Sequence, residues 1–255
     1  MPHHISSHYD HTASHIHEQH VELPLKEYAE RFTFFKLLGS VEDLQVLDLG
    51  CGDGSNTTSI KRRGAARVLG VDESSDMLDL AHRRERQENL GVKYKLADAA
   101  RLGVIGQFDV VTVTQLFHYA TSQEHFAAMC KTIYDNLRPG GRFVSVGFSP
   151  FTERQTPDMR KYSIRLRLPD SLKDGDEMTG QIFLDTSAEE PTLEVTHHYW
   201  GHRTYERSLR GAGLRNIAWH LPEVSSQGLA KLGPEFWEDF LLHPFFIGLT
   251  CDKPL

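Results

Sequence analysis

Three glycines, three carboxylates and one histidine carry the chemistry legible in this 255-residue chain. The glycines lie in the run VLDLGCGDG, residues 46–54, where Gly50, Gly52 and Gly54 follow a short apolar stretch. Glycine adopts positive φ at little cost and lets a ligand come close to the backbone. Such a turn between a strand and a helix can take a nucleotide, a dinucleotide or an adenosyl group. The dinucleotide pattern is G-x-G-x-x-G, and here the third glycine arrives one position early. A phosphate loop would need Lys-Ser/Thr after its glycines, and none follows.

The acids sharpen the reading. Asp48 interrupts an apolar strand, and a buried carboxylate is costly unless paired, so it is expected to face the ligand or cap backbone amides. Asp72 ends the next strand, where a carboxylate accepts hydrogen bonds from two ribose hydroxyls. Asp98, in LADAARL after the third strand, can take an adenine amino group. A phosphate-rich ligand would call for cations or bare amides. Three acids around one crevice fit a ligand with hydroxyls, an amine and a positive centre.

His118 stands four residues past Thr114, where the fourth strand leaves the sheet. An imidazole titrates near neutral pH and suits a general base; lining the pocket or bonding its own loop is the plainer alternative. Tyr119 reads as a packing or cofactor-side residue. Tyr199 and Trp200 can stack on a planar acceptor, though neighbouring strand residues point to opposite faces, so core packing competes. Phe148 and Tyr162 are candidates of the same kind. Arg165 and Arg167 share a strand face, either solvated or facing an acidic substrate. Phe32, Phe34 and Phe35 form a lid or, more simply, a core helix.

The elements that must hold these residues alternate between strand and helix. A helix is expected over 24–39, strands at 44–49, 67–72, 92–97, 108–114 and 142–148, and helices at about 55–63 and 75–89. Ser75 and Asp76 signal the start of the latter. Thr121-x-x-Glu124 makes a capping box for a helix that ends at Arg138-Pro-Gly-Gly141. This predicts a doubly wound, Rossmann-like parallel sheet in an α/β fold. After Pro150 the pattern changes to short alternating stretches at 164–168, 178–185 and 192–200, an antiparallel β insertion. A helix at 202–212, a strand at 214–220 and a last strand near 246–251 complete the core. Residues 1–148 are expected to form an N-terminal cap and cofactor-binding core, 149–200 an insertion roofing the acceptor site, and 201–255 the rest of the core.

VLDLGCGDG, GVDESSDML (70–78), LADAARL (96–102), FDVVTVTQLFHYA (108–120) and LRPGGRFV (137–144) together resemble, in order, the motifs of class I S-adenosylmethionine-dependent methyltransferases. The resemblance spans about residues 40–148 and implies a seven-stranded sheet and S-adenosyl-L-methionine as cofactor. It places Gly50 and Gly52 against the methionyl part, Asp72 on the ribose and Met77 near the adenosine. Asp98 and Ala99 would frame the adenine, Thr114 and Gln115 would sit near the sulfonium, and Tyr9 would close over the cofactor. LFHYA, MCKTIYDNLRPGGRF, HYWGHRTYERSLRGAGL and the Gly-Pro-x-Phe-Trp stretch at 233–237 resemble toxoflavin-type heterocycle N-methyltransferases. That implies methyl transfer to N or O of a small planar heteroaromatic or phenolic metabolite.

A net charge of −7 gives no electrostatic footprint for nucleic acid. Methylation of protein or RNA is the rival activity, disfavoured also by TQLFHY standing where exocyclic-amine methylators carry Asn/Asp-Pro-Pro-aromatic. A non-catalytic S-adenosylmethionine-binding protein and a nicotinamide oxidoreductase are the remaining alternatives. No apolar run approaches the roughly 20 residues that span a bilayer, so no membrane partner is expected. Cys51, Cys130 and Cys251 lack metal or disulfide spacing and point to a reducing, cytoplasmic setting; a monomer or homodimer is expected. Seven histidines within residues 3–20 could bind a metal or simply make a polar N-terminus; no further cluster completes a site, and no resident metal is expected.

Overall fold

The computed structural model describes residues 23–152, 158–169 and 171–255; Tyr9 and the histidine-rich stretch lie outside them. Strand and helix alternate as the sequence pattern requires. A π-helical turn, Lys26–Glu30, leads into α1 (Arg31–Leu38). Then follow β1 (Gln45–Leu49), α2 (Ser55–Arg62), β2 (Arg67–Asp72), α3 (Ser75–Glu88), β3 (Lys93–Leu96), β4 (Phe108–Thr114) and a 3-10 turn, Phe117–Tyr119. After these come α4 (Gln123–Asn136) and β5 (Leu137–Phe148). The insertion holds β6 (Ile164–Arg167), β7 (Glu177–Ile182) and β8 (Leu193–His198). The chain closes with α5 (His202–Ala212), β9 (Arg215–His220), α6 (Ser226–Leu232), α7 (Pro234–Leu242) and β10 (Phe246–Asp252).

The main sheet has seven strands in the order β3-β2-β1-β4-β5-β10-β9, and β6, β7 and β8 form a separate antiparallel sheet. The expected parallel sheet is mixed at one edge, because β10 runs antiparallel to both β5 and β9. The segment from β9 to β10 forms α6 and α7, and α6 packs back beside the π-helical turn. β10 therefore re-enters the sheet from the end at which β9 left it.

Two apolar layers sandwich the sheet. One joins Phe126, Met129, Cys130 and Ile133 of α4 to Tyr205 and Leu209 of α5 and to Val111 and Phe143 of the sheet. The other joins Phe34 and Leu38 of α1 to Trp237 and Phe240 of α7 and to Val110 and Val144. The first helix is thus core, with Phe34 fully buried and the Arg63 guanidinium 3.7 Å from the centre of the Phe35 ring. Among the described residues no helix is long and apolar enough to cross a membrane.

Several local expectations are corrected. Ser122, not Thr121, caps α4, its Oγ accepting the His125 N–H at 3.1 Å. Ser74 caps α3, accepting from Met77 N–H at 3.2 Å, one residue before the expected start. Arg138-Pro-Gly-Gly141 opens β5 rather than ending α4, which stops at Asn136. Helices α6 and α7 add to the expected elements, and Pro234 opens α7 at a position where its missing N–H costs nothing.

Tyr162 is not a site residue. It is buried in the second layer, its hydroxyl donating to Phe236 O and accepting from Phe240 N–H at 3.1 Å. Its ring stacks 6.0 Å from Trp237, whose Nε1 donates to Gly228 O at 3.1 Å. Trp237→Ala empties a fully buried site and should destabilise the protein by about 3–5 kcal/mol in urea unfolding. A loss well under that range would mean α7 contributes little to the core.

Candidate active site

At the end of β1 the chain turns through Gly50, Gly52 and Gly54 with φ of 68°, 54° and 75°, a left-handed region that residues with a Cβ occupy only at a cost. A Cβ on Gly50 would lie 3.0 Å from Leu116 Cδ1, whereas one on Gly52 would meet nothing within 4 Å. The turn therefore backs onto the loop after β4 and presents open space at Gly52. Gly50 and Cys51 donate their N–H groups to Val71 O at 2.8 and 3.0 Å. Gly52 N–H donates to Asp72 Oδ2 at 2.7 Å, and Ser74 N–H to Asp72 Oδ1 at 2.9 Å. Asp72 thus sits at the rim where it was expected and also braces the turn. A carboxylate offers roughly four acceptor sites, so two amides are compatible with bound hydroxyls.

Asp48 does something other than expected. Its carboxylate is fully buried, and accepts from Thr57 Oγ1 at 2.7 Å and Thr112 Oγ1 at 2.8 Å. It neither faces the crevice nor caps an amide, but pins α2 and β4 to β1 beneath the turn. Burial raises its pKa to about 6, against the lowering effect of the two hydroxyls. A missed neighbour, Asp53, accepts from Ser55 N–H at 3.1 Å and pairs with Arg84 at 2.9 Å, fastening the turn to α3.

Around the crevice, Asp98 accepts from Ala100 N–H at 2.7 Å and lies 3.4 Å from Arg101 and 3.7 Å from His125. Ala99 is buried beside it. Met77 is buried against Leu193 and Val195 of the inserted sheet. Thr114 Oγ1 accepts from Asn56 Nδ2 at 3.3 Å. Gln115 has φ of 53°, donates its N–H to Val146 O at 2.9 Å, and its side chain donates to Glu30 Oε2 at 2.8 Å. Asn56 and Glu30, also missed, come from α2 and the π-helical turn; ordinary polar residues at helical positions gave no signal.

His118 is buried on the 3-10 turn, its ring centroid 4.5 Å from Tyr119 and 4.2 Å from His197 of β8. Burial first, then His197 and His198, push its pKa well below the ordinary imidazole value. It is therefore neutral at pH 7 and able to accept a hydrogen bond, while the same burial works against its protonated form. The two residues expected to stack on an acceptor are anchors instead. Trp200 is buried against Phe126 and donates Nε1–H to Ala120 O at 3.1 Å, and Tyr199 donates its hydroxyl to Pro150 O at 2.8 Å. Phe148 is buried at the end of β5, lining a small internal space with Leu116, Tyr205 and Trp219. Arg165 lies on the other face of the insertion, over Phe183 and 4.0 Å from Asp158. Among the described residues no group of three or more His, Cys, Asp or Glu could hold a metal ion.

Residues 46–141 match the family model of a methyltransferase domain. The chain is 31% identical to an uncharacterized protein of Haemophilus influenzae over 57% of this chain and 61% of that one. It is also 31% identical to a ubiquinone biosynthesis O-methyltransferase of Coxiella burnetii, over 38% of this chain and 40% of that one. The chain thus spans less than two thirds of the length of these curated relatives. Its fold matches an S-adenosylmethionine-dependent methyltransferase of Mesorhizobium loti with a TM-score of 0.62 and 24% identity, covering 90% of this chain and all of that one. The architecture is the α/β, Rossmann-like methyltransferase fold.

Asp48 yields a test of the foundation. A carboxyl whose folded pKa is raised binds more protons in the native than in the unfolded state, so stability falls as pH rises from about 4 to about 6. Asp48→Asn removes that penalty. Its stability relative to wild type should rise by up to about 3 kcal/mol between pH 4 and 7 in urea titrations. A difference that stays constant across that range would show the carboxyl to be unperturbed.

Proposed function

With a methyltransferase domain at residues 46–141 as the premise, we propose that the protein moves a methyl group from S-adenosylmethionine to nitrogen or oxygen of a small planar heteroaromatic or phenolic metabolite. The observation that carries this is one juxtaposition. The open side of the glycine turn and the Asp72 carboxylate lie at the ends of β1 and β2. The Leu116 side chain that backs the turn begins the loop carrying neutral His118 under the inserted sheet.

The residues fit the cofactor. Gly52 leaves room for close approach, and Asp72 would hold ribose hydroxyls. Asp98 and Ala99 would border the adenine, with Met77 near the adenosine. Thr114 and Gln115 would border the sulfonium, and Asp72, Asp98 and Glu30 give the crevice an acidic rim suited to a positive ligand. Bound S-adenosylmethionine supplies a methyl group on an already activated leaving group. What remains for the protein is to align the acceptor and exclude water. His118 would accept a hydrogen bond from the acceptor's N–H or O–H and take that proton; the Tyr119 ring stands beside it, and Phe148 would line the acceptor side from the end of β5. The inserted sheet, laid over the exit of β4, limits the acceptor to a small molecule.

The relatives named as ubiquinone biosynthesis O-methyltransferases support an oxygen acceptor, and the resemblance to toxoflavin-type enzymes supports a ring nitrogen. Three buried free cysteines suit a reducing, cytoplasmic setting.

The test is incubation with methyl-labelled S-adenosylmethionine and a size-fractionated cell extract. Label should enter the small-molecule fraction; label in protein or RNA would overturn the proposal in favour of a macromolecular acceptor. Asp72→Ala should weaken S-adenosylhomocysteine binding at least about tenfold by calorimetry, since bonds to a charged group contribute roughly 1.5–3 kcal/mol each. Unchanged affinity would place the cofactor elsewhere. His118→Ala should cut label transfer by about 10²–10⁴ with cofactor affinity within about twofold, as removal of a general base does. Equal transfer would make His118 a wall.

A further inference from the structure

The inserted sheet brings one polar side chain to this site that the mechanism has not used. Along β8, Leu193, Val195 and His197 share a face. Leu193 and Val195 are buried with Met77, and His197 continues the row to meet His118 at 4.2 Å and the Tyr119 ring edge-on at 5.5 Å between centroids. Gly180, on the neighbouring strand β7, is what gives the imidazole room. A Cβ there would stand 3.0 Å from His197 Cε1 and 3.4 Å from Nδ1.

Both rings share one deficit. The Nδ1 atoms of His118 and His197 are each sealed from solvent without a hydrogen-bond partner among the described residues. A neutral imidazole carries one N–H and one bare nitrogen, and a buried polar atom left unpaired is costly. The two rings are neighbours, 4.2 Å apart between centroids, and no hydrogen bond joins them as they stand; a turn of either ring that set one proton between the nitrogens would answer both deficits, one donating and the other accepting. Two protons would set like charges side by side, and burial with His198 alongside already drives the His197 pKa down to about 4.

Resting on the function proposed above, we propose that His197 is the positioning residue for His118. It accepts a hydrogen bond from His118 Nδ1–H and so fixes the tautomer that leaves Nε2 bare as the proton acceptor. The opposite tautomer would turn Nε2 into a donor, unable to take the N–H or O–H proton. The inserted sheet would then complete the reactive group as well as cover it. The acceptors it admits are those bearing a hydrogen on the atom to be methylated.

The tautomer is measured directly by long-range proton–nitrogen NMR of protein labelled with nitrogen-15 in histidine, with and without S-adenosylhomocysteine. Wild type should show His118 as Nδ1–H at neutral pH. His197→Leu, which cannot accept, should lose that tautomer and at least about tenfold of the label transfer described above. His197→Gln should restore both, because its amide oxygen can accept the same bond. An Nε2–H tautomer in wild type, or the same tautomer in all three proteins, overturns the proposal. The wild-type spectrum and His197→Gln keep the test decisive if His197→Leu fails to fold. Cofactor binding by calorimetry reports separately: its absence sinks the methyltransferase reading, whereas an unchanged His118 tautomer with intact binding sinks only the role of His197.

Discussion

One carboxylate sets the geometry on which the rest depends. Asp72 accepts the amides of Gly52 and Ser74 at 2.7 and 2.9 Å, joining the turn after β1 to the start of α3. Without it the left-handed turn would leave the Gly52 amide to water. Beneath it, Asp48 bonds hydroxyls on α2 and β4 and so fixes the same turn from inside. The two acids divide their labour by exposure. Asp48 is sealed and destabilised as an anion by burial, to which the nearby Asp72 charge adds. Asp72 sits at the rim, where water and a ligand can share its charge. A cluster of acids that repel one another is stabilised by a bound cation and weakened by a bound anion, which favours a sulfonium over a phosphate.

The inserted sheet is fastened by the residues whose chemistry looked most like ligand recognition. Trp200 and Tyr199 each pair a large apolar body with one polar atom, and both polar atoms are spent on main-chain carbonyls, Ala120 O and Pro150 O. Those two carbonyls follow β4 and β5, the strands whose ends flank the crevice. The anchors therefore hold β8 where its row of Leu193, Val195 and His197 lies over Met77 and His118. Fastening the sheet with aromatics is what lets an imidazole occupy the covered position.

Sequence reasoning succeeded where one residue type serves one purpose. The glycine turn, Asp72 at the end of β2 and the 3.6- and 2-residue periodicities each have few physical explanations, so the elements and the sheet were readable. It failed where two roles share one signature. An acid in an apolar strand predicts a partner without saying whether the partner is a ligand, an amide or, as for Asp48, two threonines. Aromatics at a strand end predict burial without naming the burying surface, and Tyr162, Tyr199 and Trp200 all turned out to be structural. Strand parity puts His197 on the face of Leu193 and Val195, but parity alone does not say that this face meets the loop of His118. The reversed β10 was hidden because direction depends on the return path through α6 and α7.

The N-terminal turn and the tip of β4 are coupled by a strained residue. Gln115 is not glycine, yet its φ is 53°, a conformation that costs such a residue roughly 1–2 kcal/mol. It is held by its N–H on Val146 O and by its side chain on Glu30. The strand-end bond orients the backbone, and the Glu30 bond ties that orientation to a helix packed on the opposite layer of the core. The backbone at the tip of β4 is thus tied to the π-helical turn through Glu30 as well as to the sheet through Val146. Glu30 closes the π-helical turn Lys26–Glu30, an irregularity rare in helices, so the residue that holds Gln115 stands at the junction between this turn and α1.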